Sequence, residues 1–283
     1  MCLSPLSFLI VFLLGPLNVK GVDWDNVPFM QNYAPLWGQE NMQILNQSRE
    51  VQLTLNQESG SGFQSIHKYS SGWFNMKIKL PQNDSTEVIT TFYLISVDGP
   101  TRDEIDFEFL GGNKERSHIL HTNIFTNGQG GREQQFQFWF DPTADFHDYT
   151  FLWNEKQLVF FVDNIPIRVF KNNTDKGGSY PTQAMKIYAT IWSSPWGSGG
   201  VPINWNEAPF EAHYRGFGIN ACQSQNPNIE QCNSFRYWWN TENYWELNFD
   251  QKQAYNNVRS KYLIYDYCTK QPENLECQGL HLN

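Results

Sequence analysis

The segment Asp103-Glu104-Ile105-Asp106-Phe107-Glu108-Phe109-Leu110 alternates acidic and apolar residues. Successive side chains of a β-strand point to opposite faces. Glu104, Asp106 and Glu108 therefore share one face, and Ile105, Phe107 and Phe109 share the other. The apolar face can join a core. Three carboxylates in line repel one another, and like charges on one strand face are destabilising, so stability does not account for them. Glu104 and Glu108 are four residues apart, which puts their Cα atoms about 13 Å from each other at about 3.3 Å per residue. Two Glu side chains leaning together close that gap toward the roughly 5–5.5 Å used by retaining glycosidases, and the spacing also admits the inverting separation of roughly 6.5–9.5 Å. One carboxylate must be ionised to attack and the other protonated to supply a leaving oxygen. Asp106, between them, can hydrogen-bond one of the pair and tune its pKa. A calcium loop would set Asp, Asn and Gly in turn geometry, whereas bulky apolar residues stand here, and a solvated edge strand is the other structural alternative. The sequence has no G-x-S-x-G, G-x-G-x-x-G or P-loop motif, and neither a metal nor an organic cofactor is implied.

The rest of the chain must hold that strand in place. Alternating apolar and polar residues predict strands at 52–55, 74–80, 136–140, 149–153, 158–163, 167–170 and 185–192. Turn residues such as Ser59-Gly60-Ser61-Gly62, Pro81-Gln82-Asn83-Asp84, Asp141-Pro142 and Asn172-Asn173 punctuate them. Many short strands with regular turn signals predict an all-β sandwich or barrel, and no βαβ spacing is present. Residues 242–262 carry apolar and aromatic side chains nearer to helical spacing. The 283 residues include 20 Lys and Arg against 29 Asp and Glu, a formal charge of −9. That balance argues against a nucleic-acid or anionic-membrane partner. With 40% hydrophobic and only 17% charged residues, the chain is not disordered. Its 11 Trp, 13 Tyr and 21 Phe exceed what one core needs. A ring-rich sandwich core accounts for part of them, and a flat, apolar sugar-binding surface for the rest.

Residues 1–21 read as a secretory signal peptide. An apolar run centred on residues 8–14 is too short to span a bilayer, although no Lys or Arg precedes it. Cys2 leaves with that segment, and the mature chain has no further membrane-length run. The four remaining cysteines allow three pairings. Their short spacings favour Cys222–Cys232 and Cys268–Cys277 over a zinc site, which needs a different spacing. Asn46, Asn83 and Asn172 head N-x-S/T sequons and are glycosylation candidates. The expected organisation is a β-sandwich over 22–221 and a stapled C-terminal extension over 222–283.

Beyond the acidic strand, several segments carry a resemblance to a known family. They are Asn32-Tyr33-Ala34-Pro35-Leu36-Trp37-Gly38, Ser59-Gly60-Ser61-Gly62-Phe63-Gln64-Ser65, His121-Thr122-Asn123, Arg132-Glu133-Gln134-Gln135, residues 139–147, residues 161–168, Trp238-Trp239 and Tyr265-Asp266-Tyr267-Cys268. Over residues 22–283 the chain resembles the plant xyloglucan endotransglucosylase/hydrolases of glycoside hydrolase family 16. The resemblance implies a concave β-jelly-roll with an open cleft and a retaining mechanism on β-1,4-glucan backbones. Glu104 would be the nucleophile, Glu108 the general acid/base and Asp106 their support. Sugar contacts would fall to Glu108, His121, Thr122, Asn123, Arg132, Glu133, Trp196, Gly197 and Gly200, and Trp37 and Trp192 are further cleft candidates. The partner would be xyloglucan or a related β-glucan, and the protein a secreted monomer of the plant cell wall or apoplast.

The sequence departs from the family pattern at several places. Arg102 stands where a His usually precedes the acidic motif; it would lower the pKa of Glu104, bind a hydroxyl or pair with Asp103. The sequon often found just after the motif is missing from residues 111–116. Residues 191–200 replace an acid-containing loop, Asn204 replaces an acid, and the loop 269–276 is short and lacks an Arg. These changes fall on the expected acceptor side and imply an altered acceptor preference. Alternatives to a xyloglucan transglycosylase are a hydrolase, a transferase on cellulose or another β-glucan, and a non-catalytic wall-binding lectin.

Overall fold

A computed structural model describes residues 24–97, 99–224, 229–272 and 274–277. The signal peptide expected over 1–21 lies outside these residues. Sixteen strands form among them: β1 (Tyr33–Trp37), β2 (Met42–Leu45), β3 (Glu50–Leu55), β4 (Ser61–Ser65), β5 (Tyr69–Lys79), β6 (Val88–Ile95), β7 (Glu104–Leu110), β8 (Ile119–Phe125), β9 (Gln134–Gln137), β10 (His147–Trp153), β11 (Gln157–Val162), β12 (Ile165–Lys171), β13 (Lys186–Ser193), β14 (Phe210–Arg215), β15 (Asn220–Gln223) and β16 (Leu263–Asp266). The α-helices are α1 (Phe29–Asn32), α2 (Pro195–Ser198), α3 (Ile229–Cys232) and α4 (Phe249–Tyr262). One sheet runs β1-β4-β13-β6-β7-β8-β9-β16; the other runs β12-β11-β10-β5-β14-β3-β2, with β15 also on β5. The two antiparallel sheets pack face to face as a jelly-roll sandwich, as the alternation predicts.

Ring contacts explain why β7 cannot rotate or slip. Phe107 stacks on Phe151 with centroids 4.7 Å apart and meets Phe160 edge-on at 5.2 Å; Phe109 meets Tyr149 at 4.6 Å. Ile105, Phe107 and Phe109 are buried. A one-residue slip would exchange these rings for carboxylates in the core. The apolar half of the alternation thus fixes the acidic half on the outer face of the first sheet.

Three sequence expectations shift. Residues 61–62, expected in a turn, belong to β4. A Cβ on Gly60 would stand 2.0 Å from the Ile191 carbonyl oxygen, and one on Gly62 would stand 3.1 Å from Nε1 of Trp37. Glycine is there for close approach of Trp37 and β13, not for a turn. Strand β9 ends at Gln137, short of Phe140. The helix expected over 242–262 starts at Phe249, because Asn248 and Gln251 form a reciprocal cap: Asn248 Oδ1 accepts the Gln251 N–H at 2.9 Å and Gln251 Oε1 accepts the Asn248 N–H at 3.0 Å.

Disulfides join Cys222 to Cys232 and Cys268 to Cys277, each with Cα atoms 5.4 Å apart. The extension they staple does two things. Trp239, Leu247 and Tyr255 cluster with Leu152, Val159, Phe161 and Val169 on the outer side of the second sheet. Beyond α4, β16 crosses to the first sheet and pairs with β9. The 221/222 boundary falls inside β15, so sandwich and extension share both sheets.

Candidate active site

The strand register aligns one residue from each of the eight strands of the first sheet. From Glu108 the partners run through Thr91, Thr190 and Gly62 to Trp37 on one side, and through His121 and Gln135 to Tyr265 on the other. Seven inter-strand steps at about 4.8 Å make this row roughly 34 Å long. A second row places Asp106 between Tyr93 and Asn123. Around the acids lies a cleft of about 490 Å³ lined by Arg102, Glu104, Asp106, Glu108, His121, Asn123, Phe125, Glu133, Gln135, Trp196 and Tyr265.

The three acids sit in different electrostatic surroundings. Burial, reinforced by Glu104 and then Glu108, pushes Asp106 well above the ordinary carboxylate range. Burial, then Glu104 and Glu133, raises Glu108 to about 7. Glu104 receives a charged partner instead, the guanidinium of Arg102. Arg102 is itself held over the Phe125 ring at 4.3 Å. His121 lies 3.4 Å from Glu108 through Nε2, and burial lowers its pKa to about 4, with Arg168 adding to the effect. Such a site has a carboxylate paired with a guanidinium, a carboxylic acid poised near neutrality and, between them, a third acid whose pKa burial raises.

Sequence-derived contacts separate by strand parity. His121 and Asn123 face the cleft, and Glu133 joins them from the approach to β9; Asn123 Nδ2 donates to Glu133 Oε1 at 3.4 Å. Trp196, 49% exposed on α2, stands edge-on to His121 at 5.4 Å. Four expected residues do not line the cleft. Thr122 is buried on the opposite face of β8, where its Oγ1 accepts from Arg168 Nη1 at 2.8 Å. Arg132 is buried too. It pairs with Glu276 at 2.6 Å, donates to Ser179 Oγ at 2.8 Å, and reaches the carbonyls of Ile124 and Gln129. Gly197 packs against Ile89, to which an added Cβ would stand 3.0 Å away, and Gly200 takes φ +90° beyond α2. Both glycines shape the turn that carries Trp196. Strand parity along β8 turns Thr122 inward and sets Phe125 beside His121 and Asn123 in the cleft, and the pairing of β9 with His121 adds Gln135.

The sequence profile for "Glycosyl hydrolases family 16" matches residues 29–207. Xyloglucan endotransglucosylase/hydrolase protein 2 of Arabidopsis thaliana is 47% identical over 270 residues, covering 93% of this chain and 91% of that protein. The xyloglucan endotransglucosylase/hydrolase of Brassica oleracea var. botrytis is 44% identical over 276 residues, covering 94% and 92%. This chain belongs to the xyloglucan endotransglucosylase/hydrolases of glycosyl hydrolase family 16. Solved structures share the fold. A Bacillus licheniformis β-glucanase superposes with a TM-score of 0.57 at 21% identity, over 71% of this chain and 96% of that one. The apo Crh5 transglycosylase gives 0.57 at 18%, over 74% and 85%.

Two departures of this xyloglucan endotransglucosylase/hydrolase now have a structural account. Arg102 pairs with Glu104 and not with Asp103. The Asp103 carboxylate is buried and already accepts the backbone N–H groups of Asn127, Thr182 and Gln183 at 2.7–2.9 Å. Asn204 caps the short turn Trp205–Glu207, its Oδ1 accepting the Asn206 N–H at 3.2 Å.

Proposed function

We propose that this chain is a retaining, endo-acting transglycosylase that cleaves the β-1,4-glucan backbone of xyloglucan and transfers the fragment to the end of another glucan chain. The observation that carries the reading is the divided environment of three carboxylates on one strand face, in a cleft whose row of strands ends in Trp37 and Tyr265. Glu104, paired with Arg102, attacks the anomeric carbon. Glu108, protonated at mildly acidic pH, delivers its proton to the leaving glycosidic oxygen. Asp106, whose carboxyl burial holds well above the usual carboxylate range, lies between the two and supports them. The covalent glycosyl–Glu104 ester then yields to an acceptor hydroxyl, whose proton passes to Glu108. Trp196 offers a ring for a sugar face, while Asn123, Glu133 and His121 offer groups for hydroxyls.

The two disulfides support folding in an oxidising compartment. With the apolar N-terminal segment they support secretion to the cell wall. Among the described residues no helix is long and apolar enough to cross a membrane. The test is incubation of purified protein with xyloglucan and a fluorescent xyloglucan oligosaccharide. Label is expected in high-molecular-weight product. Glucan shortening without label incorporation would overturn transfer in favour of hydrolysis, and retained binding without either product would make the chain a lectin.

A further inference from the structure

Gln135 does not reach the acid pair directly; His121 stands between. The amide Nε2 of Gln135 lies 3.1 Å from His121 Nδ1, and His121 Nε2 lies 3.4 Å from Glu108 Oε2. An amide NH₂ can only donate, so Nδ1 is the acceptor, and a neutral imidazole then carries its single hydrogen on Nε2. The ring is 6% exposed and wedged against Trp196, and burial keeps it uncharged in the neutral range. Nε2, the ring nitrogen 3.4 Å from Glu108 Oε2, therefore carries the hydrogen. A carboxyl group whose Oε2 accepts a hydrogen bond holds its own proton on Oε1.

We propose that Gln135 is a positioning residue that sets the tautomer of His121 and thereby fixes which oxygen of Glu108 carries the transferable proton. The inference rests on the reading of Glu108 as the general acid/base. With the opposite tautomer, Nε2 would present a lone pair. A protonated Glu108 would then donate to His121 rather than to the leaving oxygen, and an ionised Glu108 would meet no hydrogen. The 3.4 Å contact is long for a hydrogen bond, as catalytic contacts in ligand-free sites often are before substrate tightens them. Among the described residues His121 is the only basic side chain in ion-pair contact with Glu108. The other charged groups around it are Glu104 and Asp106 on β7, Glu133 ahead of β9, Arg168 on β12 behind the sheet, and Arg102, which is engaged by Glu104. The facing residues of β6 and α2, Thr91 and Trp196, carry no charge.

Imidazole ¹⁵N NMR of the full chain at pH 6 reads the tautomer without turnover, with His121 assigned by the signal lost in His121→Gln. His121 is expected as the neutral Nε2–H form. In Gln135→Met, which keeps the side chain's length but removes the donor, that preference should be lost. Transfer kcat should fall about 10-fold, as for other supporting contacts to a catalytic group, with KM changed less than about 2-fold. The alkaline limb of kcat/KM should also move to higher pH, because the Glu108 anion loses its donor. An Nδ1–H or doubly protonated His121 in the native enzyme overturns the proposal, as does a Gln135→Met enzyme with native kcat and pH limb. Full transfer activity in Glu108→Gln would instead refute the role given to Glu108, while leaving the tautomer measurement to stand on its own.

Discussion

Two regions of this molecule hold buried charge in different ways. In the C-terminal brace each acid has a base: Glu276 pairs with Arg132 at 2.6 Å, and Asp266 with Arg259 at 2.5 Å. Ser179, Gln134 and backbone carbonyls satisfy the remaining hydrogens. On β7 three carboxylates share one face, and only Glu104 has a guanidinium in contact. Asp106 and Glu108 respond by holding protons beyond the usual carboxylate range. The fold could have paired these acids as it paired those of the brace. That it pairs the brace acids, and Glu50 with Arg215 and His213, but leaves Asp106 and Glu108 without a guanidinium marks those pairs as structural and the strand as chemical.

The contrast can be broken in four ways. Glu104→Gln should lower kcat by about 10⁴-fold or more, the scale of removing a covalent nucleophile, while circular dichroism shows an unchanged fold. Glu276→Ala should destabilise by about 3–5 kcal/mol, because Arg132 is left as a buried, unpaired cation; urea unfolding measures this, and a loss under 1 kcal/mol would remove the distinction. Glu108→Gln should do the opposite. A carboxyl raised from 4.5 to about 7 binds its proton more tightly folded than unfolded. Stability is therefore lost as pH rises from 4.5 to about 7, by about 3 kcal/mol. The substitution should accordingly raise the unfolding midpoint at pH 8 and leave it unchanged at pH 4. Finally, kcat/KM of the native enzyme should fall about tenfold per pH unit above about 7, as the acid loses its proton. A flat profile to pH 9 would deny Glu108 that role.

The acidic strand was legible in the sequence because one alternation encodes both its anchoring and its exposure: Phe107 and Phe109 say which way Glu108 must point. The disulfides were legible from spacing, and the family from its motifs. Arg132 and Thr122 were misplaced because motif adjacency carries no face information. Both stand beside cleft residues in the chain, and strand parity turns Thr122 inward while Glu276 holds Arg132 there. Arg168 ends the family-like segment 161–168. It is fully buried, its pKa lowered by burial to about 10, and it reaches across the sandwich to the Thr122 and Arg132 carbonyls at 3.0 and 2.6 Å. No local pattern announces it, since its partners lie about forty residues away in sequence. Tyr265 was likewise hidden, because β16 joins the first sheet only through a pairing with β9.

That pairing has a consequence for biosynthesis. The row of residues through Glu108 begins on β1, at Trp37, and ends on β16, at Tyr265. The two edges of one sheet thus come from segments separated by most of the described chain. Domains form as the chain emerges, N-terminal part first, and pairings of such long range form late. The acids of β7 are made before β8 to β16, but the floor beside them stays incomplete until residues 263–266 have docked and Glu276 has locked Arg132. A growing chain therefore carries these acids on an unfinished surface, and the cleft is complete only once β16 has been made and paired with β9.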